Sequence, residues 1–303
     1  MKLRFLFIIF IFGLNTSISF HSQNCTWNGS ISTDWHVIDN WTTSNLGVVE
    51  ASRVPTSSDS VIIISTANDP IIGAAAEAGT LTINLGGLLT ISGSNFLNVA
   101  GTVTINGALT LSTFIGGIEC GSDWDDTGGL FNLNGFDKVI FDGSGSHTIN
   151  TNSNFIMLEI HSGTYKASSN FSVQSSLSIS GGAILDPDAN TITVDPGTSF
   201  TNNGNLVFSN SSGIFDVNGS ATFTNNGIID MTNGGILKLS LETAPDIDGT
   251  GTFTSGTGTV VYDRDNISFP SGNQTIDEVT YNNLTINGTD DTDIKTASGT
   301  TLD

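Results

Sequence analysis

The chain is poor in positive charge. Lys and Arg number 8 against 29 Asp and Glu, a formal net charge of −21 over 303 residues. A surface of that sign repels phosphate backbones, which argues against nucleic acid as a partner. Acids in such excess either attract divalent cations or keep an exported protein soluble, and their scatter along the chain favours the second role. Cysteine is nearly missing. Cys25 and Cys120 allow at most one internal disulfide and are too few for a thiolate metal centre. Proline is also sparse, with 6 residues, and no linker divides the chain, so one elongated domain is expected. Past residue 19 no apolar run is long enough to span a bilayer.

The long apolar stretch opens the chain. Met1, Lys2, Leu3 and Arg4 precede FLFIIFIFGL, and small residues follow at Ser17 and Ser19, the layout of a secretory signal peptide over residues 1–19. The run is short for an uncleaved membrane anchor, which is the alternative. HSQNC, ending at Cys25, lacks the Leu and small residues that precede a lipidated cysteine. Cleavage after Ser19 would leave six basic residues, Arg53, Lys138, Lys166, Lys238, Arg264 and Lys295. The expected product is secreted or held on the outer cell surface, with no transmembrane segment.

What the chain has in abundance is self-similarity. LTIN at 81–84 returns as VTIN at 103–106, an offset of 22, and FTNNGNLVFS at 200–209 returns as FTNNGIIDMT at 223–232, an offset of 23. LTIS at 89–92 returns as LTLS at 109–112 after 20 residues. Within each unit apolar and hydroxyl residues alternate, as in Thr102, Val103, Thr104 and Ile105, so one side of each strand is aliphatic and the other polar. Asn106-Gly107, Asn134-Gly135, Asn218-Gly219 and Asn226-Gly227 separate the runs, both residue types tolerating positive φ at a sharp corner. Asn-Gly is also a hairpin signal, which would give an antiparallel sandwich or barrel. Unequal hairpins have no reason to recur at a fixed interval, so the expected fold is all-β, a right-handed parallel β-helix with about 20–23 residues per coil over residues 56–303.

A solenoid needs its open end covered. CTWNGSISTDWHVIDNW, at 25–41, holds three of the four tryptophans. Within a cap over residues 20–55, STDWHVIDNW is predicted to form a short helix with Ser32 or Thr33 as N-cap. Trp35, Ile38 and Trp41 would then share a face, with Trp27 packed on them and VPTSSDSVIIIS supplying the first strand. Stacking of exposed tryptophans on sugar rings is the alternative.

The series TWNGSISTDWHVIDNW followed by VPTSSDSVIIIS resembles the N-terminal module of secreted, repetitive surface proteins of the Bacteroidota. A second family-like element occurs twice, VIFDGSGSHTINTNSNFIMLEIHSGT at 139–164 and VVYDRDNISFPSGNQTIDEVTYNNLTINGT at 260–289. The resemblance implies a β-helical, adhesin-like protein and type IX secretion. The family's C-terminal sorting domain is missing from the sequence, which stops at TASGTTLD as though within another coil, as expected of an N-terminal fragment.

Catalytic patterns are thin. SDWDDTGG offers Asp123, Asp125 and Asp126, without the Gly-His-Gly and Arg-x-Lys elements of polygalacturonase-like hydrolases, and the basic residues that a lyase needs are isolated. His21, His36, His147 and His161 have no zinc spacing, and His147 takes the place of Gln274 in the second copy, as a polar corner residue would. Asp246 and Asp248, and the cluster Asp290, Asp291 and Asp293, are calcium candidates whose alternative is an ordinary solvated turn. The sequence therefore reads as a non-enzymatic, monomeric rod presenting Thr, Ser and Asn ladders, with glycans or cell-surface components as partners and no cofactor beyond that calcium. The competing reading is a carbohydrate-active module that binds or cleaves acidic polysaccharide.

Overall fold

The computed structural model describes residues 22–112, 115–241, 245–263, 274–287 and 295–297. The signal segment 1–19, His21 and the cluster Asp290, Asp291 and Asp293 lie outside them. Alternation sets the strands: in Thr80–Ile83, Leu81 and Ile83 are buried while Thr80 and Thr82 face outward. The first elements are β1 (Asn24–Trp27), β2 (Trp41–Asn45), β3 (Val48–Val49), β4 (Ser60–Ile63), β5 (Ile71–Ile72) and β6 (Ala76–Ala78). The last three form one coil with a strand on each of three faces. The next coil repeats it, with Thr80–Ile83 on β4, Leu88–Ser92 on β5 and Phe96–Val99 on β6, all parallel. Among the described residues the strands form two 13-stranded sheets, one 4-stranded sheet and one 2-stranded sheet, an all-β parallel solenoid of about 10 turns.

The strands flanking Asn106-Gly107 pair with different sheets, Val103–Ile105 with Thr80–Ile83 and Ala108–Ser112 with Leu88–Ser92. The dipeptide is thus a corner and no hairpin. Gly135 and Gly219 do take positive φ, 66° and 59°, but Gly107 and Gly227 do not. Those two are required by stacking: a Cβ would lie 2.3 Å from the Gly87 carbonyl oxygen at Gly107 and 2.0 Å from that of Gly204 at Gly227.

Coil length is less regular than the sequence repeats suggest. Trp124 stacks on Ile149, a spacing of 25, and His147 on Tyr165, a spacing of 18. The 4-stranded face ends at Leu130–Asn132, and the coil flattens. Large rings fill the transition, with Trp124 edge-on to Phe131 at 4.9 Å and Phe155 edge-on to Phe171 at 5.3 Å. Beyond it the nine-residue strand Phe171–Ile179 pairs with Thr191–Val194 along its first part and Ser199–Asn202 along its second, and a third side forms again. The repeated FTNNG motifs place Asn202 and Asn225 inside the coil, where Asn202 Nδ2 donates to Asn225 Oδ1 at 2.8 Å and Asn225 Nδ2 to the Ile247 carbonyl at 2.9 Å.

The N-terminal end departs from expectation. β1 already belongs to the parallel stack, pairing Cys25 with Val61, so the solenoid begins inside the span assigned to the cap. β2 then covers the edge of β1 in antiparallel fashion, with Trp27 opposite Trp41, and β3 follows β2. The predicted helix is only the 3₁₀ turn Ile38–Asn40. The backbone of 33–35 is committed elsewhere: Ile71 N donates to the Thr33 carbonyl at 2.7 Å and Trp35 N to the Ile71 carbonyl at 3.2 Å. The Asn40 side chain further holds the loop open, accepting from Ile31 N and Ser32 N at 2.9 and 3.0 Å and donating to the Asp34 carbonyl at 2.9 Å. Without a helix Ile38 leaves the tryptophan face and is 52% exposed.

Candidate functional site

Trp27, Trp35 and Trp41 are fully buried, so they offer no stacking platform for a sugar. Trp41 meets Trp27 at 5.0 Å and Trp35 at 4.7 Å, both edge-on; Trp27 Nε1 donates to Asn68 O and Trp41 Nε1 to Trp35 O, each at 2.7 Å, while the buried Trp35 Nε1 finds no partner among the described residues. Beside them Asp59 is buried, paired with Arg53 and accepting from Thr56 N and Thr56 Oγ1, each at 2.8 Å. The sequence reading missed this pair. Its local sign is the Arg-x-Pro-x-x-x-Asp order just before β4. Among the described residues the strongly exposed aromatic is Phe136.

Outward positions stack in register along the rod. Thr82 lies on Thr104, Thr90 on Thr110 and then Asn132, and Ser178 on Thr201 and then Thr224. Among the described residues Lys138, Lys166 and Lys238 interrupt these polar columns, each beside an acid. Lys138 Nζ lies 2.5 Å from Glu159, which His161 Nε2 also meets at 2.8 Å. Lys166 approaches Asp186 at 3.4 Å. Lys238 joins Asp263 at 2.8 Å and Asp216 at 3.5 Å. Burial raises the Asp216 pKa, against the lowering effect of Lys238. Burial alone would lower that of Lys238, yet its hydrogen bond to Asp263 and the charge of Asp216 leave it raised. A lysine held protonated in this way is a poor base for removing a substrate proton.

The acids of SDWDDTGG do not converge. Asp123 Oδ1 accepts from Thr148 N at 2.7 Å. Asp125 Oδ1 accepts from Thr127 Oγ1 at 2.7 Å, which lowers its pKa. Asp126 is buried, bound by Thr151 Oγ1 at 2.8 Å and Asn152 N at 2.9 Å, and desolvation raises its pKa. Asp123 and Asp126 act as braces between coils, whereas Asp125 is held by Thr127 within its own turn. His147 is hydrogen-bonded at both nitrogens, 3.0 Å from the Ser144 carbonyl and 3.3 Å from Ser122 Oγ, while buried Gln274 in the second copy donates to the Leu239 carbonyl at 2.8 Å. Cys25 and Cys120 are buried and unpaired with each other. Burial pushes their thiols up to about 11 and about 12.

Among the described residues one acidic group does converge. Asp246 and Asp248 are joined by Asp277, and one carboxylate oxygen from each lies within 4.8 Å of the others. Asp277 was not apparent from spacing, being a coil further on; it is tied in where its Oδ2 accepts from Ile247 N at 2.6 Å. Burial, then the charges of Asp248 and Asp246, raise its pKa. Three oxygens at this separation suit a hard cation such as calcium, which takes 6–8 oxygen ligands, so water or a partner would supply the remainder.

Residues 26–113 match a family described as a domain of unknown function (DUF8693), spanning the cap and the first coils. No curated protein and no solved structure matches the chain. Among the described residues no helix is long and apolar enough to cross a membrane.

Proposed function

We propose that this protein is a non-enzymatic spacer of the secreted or surface-exposed, adhesin-like kind, which holds polar ladders at a distance from its anchorage. The observation that carries this reading is the in-register stacking of Thr, Ser and Asn on the outer faces, with most of the described aromatic residues turned inward and Phe136 the exception. About 10 turns at a strand separation of about 4.8 Å make a rod of roughly 50 Å. Parallel stacking ties every coil to its neighbours by main-chain bonds, so the presented side chains keep their spacing under load. The scattered ion pairs suit a solvated surface better than a reaction centre.

The Asp216, Lys238 and Asp263 group favours a second reading, a carbohydrate-active module for acidic polysaccharide. A glycan array combined with a depolymerase screen, each run with and without calcium, separates the two. The spacer reading expects adhesion or no binding, and no new reducing ends or unsaturated products. Release of either product, lost in Lys238→Ala, would replace it with the second reading.

A further inference from the structure

The cap closes the first coil unevenly. The face of β1 and β4 ends in the antiparallel β2 and β3, and the edge of β5 is met by the backbone of Thr33 and Trp35. The third face ends at β6, and among the described residues no strand covers its outer edge. The flanks of β6 are engaged, and at its centre Glu77 Oε2 accepts from Ser57 N at 3.3 Å. The His36 imidazole donates to the Ala75 carbonyl at 3.1 Å, and the amides of Gly79 and Thr80 donate to the Asp59 carbonyl at 2.7 and 3.1 Å. Opposite stands Pro55, which has no amide to give, so its segment does not serve as the missing strand. What remains is a cleft of about 310 Å³ whose apolar wall is Val54 and Phe96, backed by the buried Trp35 and Pro55, with Glu77, His36 and Asn98 as polar groups.

The geometry points to a docking site in which an extended peptide segment carrying a basic side chain adds as a strand along the outer edge of β6. An open edge offers main-chain hydrogen bonds in strand order, and a neighbouring cleft receives alternate side chains. The charge selects the partner. Glu77 projects from the centre of β6 to solvent, exposed Asp34 lies just beyond His36, and the chain as a whole carries −21. An acidic segment is repelled from this end and a basic one is drawn to it. Arg53, the nearby cation, is held by buried Asp59 and does not cancel Glu77. This inference goes beyond the spacer reading and does not depend on it.

The test is calorimetric titration of the full chain with three blocked peptides. They are acetyl-Lys-Val-Thr-Val-Lys-amide, its Glu-flanked counterpart, and the Lys-flanked peptide N-methylated at its central residue. The expected result is saturable one-to-one binding of the first, weaker by about tenfold for the other two. Glu77→Lys should invert the charge preference and Glu77→Gln should weaken it, with unchanged circular dichroism showing both variants folded. Four results would overturn the inference: no heat with any peptide, equal binding of the N-methylated peptide, a preference indifferent to Glu77→Lys, or self-association of the chain that Glu77→Lys abolishes, which would assign the cleft to a second copy.

Discussion

Replacing Gly227 by Ala tests whether close stacking of corners, rather than backbone conformation, makes glycine necessary. The added Cβ would sit 2.0 Å from the Gly204 carbonyl oxygen, and contacts under 3.0 Å are essentially never seen, so the two coils must part locally by about 1 Å. Two ladder bonds bracket the contact, Ile228 N to Gly204 O at 2.8 Å and Asn226 N to Asn202 O at 2.7 Å. Lengthened by that amount both leave hydrogen-bonding range, at about 1 kcal/mol each. Strain from overpacking adds about 1–3 kcal/mol, for an expected loss of about 3–5 kcal/mol. Gly73 is the control, since its φ is not positive and nothing lies within 4 Å of an added Cβ. Gly73→Ala should be neutral or stabilising by up to about 1 kcal/mol through the unfolded chain. Denaturant unfolding of the two variants measures the difference, and hydrogen exchange at Asn226 and Ile228 locates it. A Gly227→Ala protein within about 0.5 kcal/mol of the parent, or no less stable than Gly73→Ala, would refute the stacking argument.

Three further outcomes are expected. Asp59→Ala strands Arg53 and unties Thr56, so denaturant unfolding should show a loss of about 3–5 kcal/mol, with Arg53→Met as the partner variant for a double-mutant cycle. Asp126, Asp216 and Asp277 all have folded pKa values raised above the ordinary 3.8. Each binds its proton more tightly folded than unfolded, so its contribution is fully present below 3.8 and is lost as pH rises through the folded value. The melting temperature should therefore climb as pH falls from neutrality toward 3.8, a trend only partly offset by Asp125, whose pKa is lowered; a flat or falling profile would contradict it. Finally, Cys25 and Cys120 should resist a thiol reagent in the native protein and both react in denaturant, because burial removes both access and thiolate.

Periodicity alone carried the solenoid. A side chain alternating every second residue has one buried and one wet side, and a motif returning at nearly constant intervals must stack on itself, so the parallel pairing of LTIN with VTIN and of the two FTNNG segments was legible in the sequence. Signals that depend on partners distant in sequence were not. The helix expected at STDWHVIDNW yields because Ile71, more than thirty residues downstream, takes its backbone bonds. Asp277 reaches Asp246 and Asp248 only because a whole coil returns to the same corner. Gly107 and Gly227 look alike in sequence to Gly135 and Gly219, yet the first pair is required by the coil beneath and the second by φ. Local pattern determines which side of each strand is buried, since burial of aliphatic area depends on the strand itself. The uneven closure of the first coil, the flattening near Trp124 and the open edge of β6 depend on which coil lies against which, and only contact between segments distant in the chain decides that.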